Sequence, residues 1–174
     1  IVQINVRGGI PVEFQVGDKV VYPMHGAGIV ESIEEKEILG KKQEYYVLNF
    51  TLGGVKVMVP TQNVEQIGLR QVISKDEVDK VIDILSGDQT KMPANWSKRY
   101  RLNMNKIKTG NIYEVAAVVR NLMLRDKDRG LSNAERKMLN SARQILISEL
   151  ALSKDAAQEE IKAMVDRISE RNNA

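Results

Sequence analysis

From Phe14 to Ile67 polar and apolar positions alternate with a period of two. In Glu44-Tyr45-Tyr46-Val47-Leu48-Asn49-Phe50 the side chains of Tyr46, Leu48 and Phe50 would share one strand face. In Val55-Lys56-Val57-Met58-Val59 the three valines point one way, with Lys56 and Met58 opposite. Thr51-Leu52-Gly53-Gly54 supplies a tight turn between these strands, and Leu39-Gly40-Lys41 supplies another after the stretch Gly28 to Ile38. A strand around Lys19 to Tyr22, stopped by Pro23, completes a meander of short antiparallel strands, which predicts a small SH3-like or Tudor-like barrel. So short a segment holds only a small core, so at least one sheet edge should need protection or a partner.

From Ser74 the period changes to 3.6 and stays there. Ser74 and Glu77 form a capping-box pattern, Val78, Val81, Ile82 and Leu85 form a stripe, and Gly87 is placed to end the helix. Asn111 with Glu114 opens a stripe of Val115, Val118, Val119 and Leu122, and Ser132 with Glu135 opens Met138, Leu139, Ala142, Ile145, Leu146 and Leu150. Ser153 is placed to cap a last helix carrying Ile161, Val165 and Ile168, and Ser97 to cap one running to Lys108. The stripes are packing faces. The predicted fold class is α+β, a small N-terminal antiparallel β-barrel followed by a compact all-helical domain of about five helices. Its divisions are a leader or cloning remnant at 1–13, a β domain at 14–67, a linker at 68–73 and a helical domain at 74–172.

Composition removes several function classes. The 174 residues include no cysteine and one histidine, His25, which excludes disulfide scaffolds, cysteine-based zinc sites and nearly every histidine cluster. Gly26-Ala27-Gly28 lacks the third glycine of a dinucleotide loop and the lysine-serine pair of a phosphate loop, so it is expected to be a turn. No serine, cysteine or paired carboxylate is placed to work with His25, so no enzyme activity and no cofactor are expected. No apolar run approaches membrane-spanning length and no signal segment is visible, so a cytoplasmic protein without membrane contact is expected.

Net charge is only +3, but residues 91–148 alone carry 13 Lys/Arg against 4 Asp/Glu, while the rest is mildly acidic. One face is therefore expected to meet a polyanion. Within that block Asn95-Trp96-Ser97-Lys98-Arg99-Tyr100-Arg101 places the only tryptophan at a helix start, with three cations crowding the first turn. Cations there oppose the helix dipole by about 0.3–1 kcal/mol each, a cost that makes sense beside a phosphate. On these local facts the indole is either presented at the surface or buried as an anchor of helix packing. Arg120, Arg125, Lys127, Arg129, Arg136, Lys137 and Arg143 add charge enough to track a nucleic-acid backbone. An aromatic wedge flanked by phosphate-binding cations suits entry to a minor groove without base reading.

Phe14-Gln15-Val16-Gly17-Asp18-Lys19-Val20-Val21-Tyr22-Pro23 with His25-Gly26, then Asn95-Trp96-Ser97-Lys98-Arg99-Tyr100, then Arg129-Gly130-Leu131-Ser132 with Glu135 and Met138-Leu139, resemble the bacterial CarD/CdnL family of transcription regulators. The first half also resembles the polymerase-interaction module of transcription-repair coupling factors. The resemblance implies that the barrel binds the RNA polymerase β subunit and that the helical domain contacts promoter DNA, largely independently of sequence, at the upstream fork of the bubble. There the family tryptophan, matching Trp96, enters the minor groove, and the open complex is stabilised. It further implies DNA contacts from Lys98, Arg99, Arg101 and Arg136, and polymerase contacts from Lys36 and Met58. Met58 stands where relatives often carry arginine, so a thioether packing against an apolar surface replaces any salt bridge there. The alternative on the residues alone is a protein–protein adaptor whose basic helices bind an acidic protein and whose tryptophan is core.

Overall fold

The alternating stretch folds into strands β1 (Lys19–Tyr22), β2 (Gly26–Ile38), β3 (Lys41–Phe50) and β4 (Lys56–Pro60). A fifth strand, β5 (Arg70–Gln71), completes an antiparallel sheet in the order β4-β3-β2-β1-β5. The computed structural model describes residues 13–171; most of the segment taken as a leader, and residue 172 of the helical domain, lie outside the described residues. Register puts Tyr46 between Ile33 and Val59, and Leu48 between Val30 and Val57, so the alternating apolar positions share one face. That face buries Phe14, Val20, Val30, Tyr46, Leu48, Phe50 and Val59 together with Val64 and Leu69. Phe14 closes the core at one end. Its N–H donates to the Tyr46 hydroxyl at 3.0 Å, and the two rings meet edge-on at 5.8 Å. A register shift between Val30 and Ser32 bends β2, whose far half runs on with β3 as a two-stranded hairpin ending at the fully exposed Leu39.

Two expectations are corrected here. Gly26-Ala27-Gly28 is not a turn but the start of β2, with Gly26 opposite Tyr22 and Gly28 opposite Phe50. A Cβ on Gly28 would lie 2.7 Å from the Asn49 carbonyl oxygen, so the glycine answers a close backbone approach. Residues 68–73 are not a free linker. Leu69 is buried in the sheet core and Arg70–Gln71 pairs with Val20 and Val21, after a single helical turn, α1 (Val64–Ile67).

The 3.6-residue pattern produces five further helices, α2 (Lys75–Ser86), α3 (Trp96–Lys108), α4 (Ile112–Arg129), α5 (Asn133–Lys154) and α6 (Gln158–Arg171). Their stripes form one core around Val81, Val115, Val119, Leu122, Leu146 and Leu150. Glu77 accepts from the Ser74 N–H at 2.9 Å and Asn111 accepts from the Tyr113 N–H at 2.9 Å, satisfying donors that a helix start leaves open. Other ends differ from expectation. Asn95, not Ser97, caps α3, its side chain accepting from the Lys98 N–H at 2.9 Å. Ser153 does not open α6; it stays inside α5 and donates to the Ile73 carbonyl at 2.8 Å.

Helix α5 joins the two halves. Ser148 accepts from the Ala27 N–H at 3.0 Å, and Lys19 donates to the Leu152 carbonyl at 2.9 Å. Arg70, at the end of the sheet, grips the Glu149 carboxylate with both terminal nitrogens at 2.6 and 2.9 Å, and its Nε and Nη2 reach the Gly110 carbonyl. Glu149 is 1% exposed and also accepts from the Ile73 N–H at 3.1 Å. A buried carboxylate with this many donors is fully compensated.

Candidate functional site

Helix α3 begins directly after Pro93-Ala94-Asn95, so its first residue, Trp96, stands at the rim of the helical domain. The indole is 47% exposed, which rules out the buried-anchor reading. One face stacks on Tyr100, one turn along, with ring centroids 5.5 Å apart and 26° between planes. Its Nε1–H donates to the Ser132 hydroxyl at 2.9 Å, at the start of α5. The Ser132 hydroxyl also accepts from the Glu135 N–H at 3.2 Å and donates to the Glu135 carboxylate at 3.1 Å. It thereby uses its one donor and both acceptor positions. The other carboxylate oxygen accepts from Arg99 Nε at 2.6 Å, and Arg99 Nη1 donates to the Pro93 and Ala94 carbonyls at 3.2 and 3.0 Å. The indole is held by a continuous polar chain from α5 back to the residues that precede it.

Arg99 is therefore not placed as a phosphate contact. It is 3% exposed, and its partner Glu135 is 2% exposed. On a helix Arg99 follows the same inward side as Asn103 and Ile107, and only a carboxylate waiting inside makes that position habitable for a cation. Burial pushes the Glu135 carboxyl up, but the Arg99 guanidinium and the donors of Ser132 outweigh it and hold it below the usual glutamate range.

The remaining cations distribute around this point. Lys98 and Arg101 are exposed and, among the described residues, their charged heads meet no partner. At about 100° per residue they lie roughly 200° and 140° around α3 from Trp96, on the solvent side rather than beside the ring. Arg136 is in the first turn of α5, one residue past Glu135. Its guanidinium grips Asp126 of α4 at 2.9 and 3.0 Å and is half exposed. The structure thus gathers Trp96, Arg99 and the α5 start, and arrays Lys98 and Arg101 on a flanking face.

The two residues nominated on the sheet also come together. Lys36 of β2 and Met58 of β4 share the outer face of the sheet, with Lys36 Nζ 3.7 Å from the Met58 sulfur and 3.3 Å from a Glu34 oxygen. Met58 sits opposite Val47, whose neighbour Tyr45 lies opposite Pro60. Strand β4 is one edge of the sheet. The His25 ring lies against Tyr22 at 4.6 Å, with Nδ1 3.2 Å from the Pro23 carbonyl. Among the described residues no group of three His, Asp or Glu could hold a metal ion, and no helix is long and apolar enough to cross a membrane.

Two sets of long-range pairings leave no trace in the sequence. Ser132 and Glu135 were legible as a helix cap, but that the cap also receives an indole and an arginine 36 residues away was not. Arg70 and Glu149, 79 residues apart, left no local signal.

Comparison with known proteins finds a match on each half of the chain. Residues 14–73 match a family model described as CarD-like/TRCF RID domain, and residues 80–166 match one described as CarD, C-terminal domain. A Bacillus subtilis (strain 168) protein named "Putative transcription factor YdeB" is 43% identical over 150 residues, covering 86% of this chain and 98% of the relative. A solved structure titled "CdnLNt from Myxoccoccus xanthus" is 41% identical, covers 39% of this chain and 96% of the other, and has a TM-score of 0.32. With a family model on each half and a relative matched almost end to end, the chain belongs to the CarD family.

Proposed function

We propose that this chain is a non-enzymatic cytoplasmic transcription factor that docks on the RNA polymerase β subunit through its sheet domain and on promoter DNA through its helical domain. In this reading Trp96 enters the minor groove at the upstream fork of the bubble and the open complex is stabilised. Lys98, Arg101 and Arg136 hold the flanking phosphates, while Lys36 and Met58 with the β4 edge meet polymerase by strand addition. Family membership supports transcription and polymerase contact. The observation that carries the DNA half is the indole itself, half exposed at a helix start and fixed by a hydrogen bond to Ser132. A large aromatic side chain held rigidly at the surface is pre-organised to stack where base pairing has opened. The same exposure removes the core tryptophan that the acidic-partner adaptor required.

Tethering to polymerase raises the local concentration of the DNA-binding half, so weak intrinsic DNA affinity suffices. A contact available only when the duplex is melted shifts the closed-to-open equilibrium by its own free energy. A base–aromatic stack contributes about 1–3 kcal/mol, so Trp96→Ala should shorten open-complex lifetime by about fivefold to a hundredfold while polymerase binding and the melting temperature stay nearly unchanged. Unchanged lifetime in a folded Trp96→Ala protein would refute the wedge.

A further inference from the structure

Segment 89–94, which ends two residues before Trp96 in the chain, forms a cleft of about 270 Å³ with the last turn of α4. It is lined by Lys91, Arg125, Asp128 and Arg129 together with Met92 and Pro93. Three cations against one carboxylate leave it with a positive balance. Asp128 is already taken, its carboxylate 3.1 Å from Arg129 Nε. Among the described residues Lys91 and Arg125 meet no hydrogen-bonding or ionic partner, and Arg125 Nε is shielded from water without one. A guanidinium nitrogen removed from water and unbonded is a cost that an anion in the cleft would offset.

The wall opposite α4 is rigid. Thr90 accepts from Asn121 Nδ2 at 2.8 Å, and its N–H donates to Asn121 Oδ1 at 3.0 Å. The Pro93 and Ala94 carbonyls are held by Arg99. Segment 89–94 is thus pinned by side chains of α3 and α4, and Lys91 and Arg125 both line a preformed gap.

We propose that this cleft seats one phosphodiester group of the promoter backbone, immediately next to the nucleotides that Trp96 approaches. This rests on the DNA-binding role proposed above and adds a contact from segment 89–94 and the last turn of α4. The cleft sets register: a phosphate fixed between Lys91 and Arg125 determines which base step meets the indole, as phosphate contacts position rather than specify.

The test measures binding of the full chain to a fork-junction DNA at several salt concentrations, for wild type, Lys91→Gln, Arg125→Gln and their double variant. Lys162→Gln, on exposed α6, is the control for general loss of charge. Thermal melts confirm that each variant is folded, and Lys91→Gln, at an exposed position, serves if Arg125→Gln is not. The double variant should bind about five- to tenfold more weakly, with the slope of log affinity against log salt reduced by about 1–2, whereas Lys162→Gln should change neither. Equal affinity and slope for the double variant and the control, with wild type binding normally, would overturn the cleft alone. Failure of wild type to bind the fork would overturn the DNA reading and the cleft with it. Inorganic pyrophosphate, followed by Trp96 fluorescence, separates the other source of phosphoryl groups. Micromolar binding of pyrophosphate, lost in the double variant while DNA affinity is retained, would assign the cleft to a free anion and overturn the DNA assignment.

Discussion

Ser132 is the smallest side chain of the site and the one on which most of it converges. Its hydroxyl caps α5, closes on Glu135 and receives the Trp96 indole N–H. Ser132→Ala should cost about 1 kcal/mol of stability through the lost cap. Its more telling effect should be on the ring: Trp96 fluorescence should become more accessible to iodide, with a shorter open-complex lifetime, and Ser132→Thr should restore both. An unchanged quenching constant would show that Tyr100 stacking alone holds the indole. Glu135→Gln is harsher, since it leaves the buried Arg99 cation against a neutral amide, and should cost about 3–5 kcal/mol in denaturant unfolding. Glu135 also carries a sign for pH. Its carboxyl ionises more readily folded than unfolded, so its stabilisation is complete above the ordinary value of 4.5 and is lost as pH falls through the lower folded value. The acid limb of a stability profile should therefore be shallower in Glu135→Gln; equal limbs would mean that other carboxylates dominate.

Strands and stripes were legible along the chain because burial enforces their periods: Tyr46, Leu48 and Phe50 share one face, and Val115, Val119 and Leu122 another. The ends of elements were not, because the residue that caps an end is chosen by tertiary competition. Ser153 has the chemistry of a helix start, but the Ile73 carbonyl lies closer to its hydroxyl, and the helix runs past it. Arg99 looked like a surface cation because the carboxylate that admits it to the interior lies on another helix. Strand β5 was invisible for a related reason. Two residues carry no period, and Arg70–Gln71 is a strand only because β1 is there to pair with it. This matters for any isolated sheet domain. A fragment ending at 67 lacks Leu69, whose burial contributes about 1.5–3 kcal/mol, as well as the fifth strand. A fragment of 13–73 should bind polymerase in a pull-down and melt cooperatively, and the shorter one should melt at a lower temperature. Failure of the longer, folded fragment to bind would move polymerase contact out of the sheet.

Across the whole molecule, α5 spans 22 residues, roughly 33 Å, with Glu135 near its start and Glu149 near its end. Each carboxylate is buried and each is answered by an arginine from elsewhere, Arg99 for the indole and Arg70 for the sheet. The sheet and the helical half are thereby tied to each other, and under the function proposed above only a fixed orientation lets one docking event deliver the other surface to a defined place. Arg70→Lys keeps a charge but loses the planar fork shared between Glu149 and the Gly110 carbonyl. It should lower the melting temperature and shorten open-complex lifetime, with affinity for polymerase changed by less than about twofold. Full lifetime in a folded Arg70→Lys protein would show that the halves act independently. The same clasp makes the two halves unequal as heirlooms. Parted from the helices, the sheet gives up the Ser148 acceptor of Ala27 and frees Arg70, a side chain at ease in water, while its own core around Tyr46 and Leu48 stays closed. Parted from the sheet, the helices keep at Glu149 an anion desolvated for a counterpart that has gone. The family model that the sheet matches carries two names, CarD-like and TRCF RID. Any replacement for this sheet would have to bring Glu149 a donor in the place of Arg70.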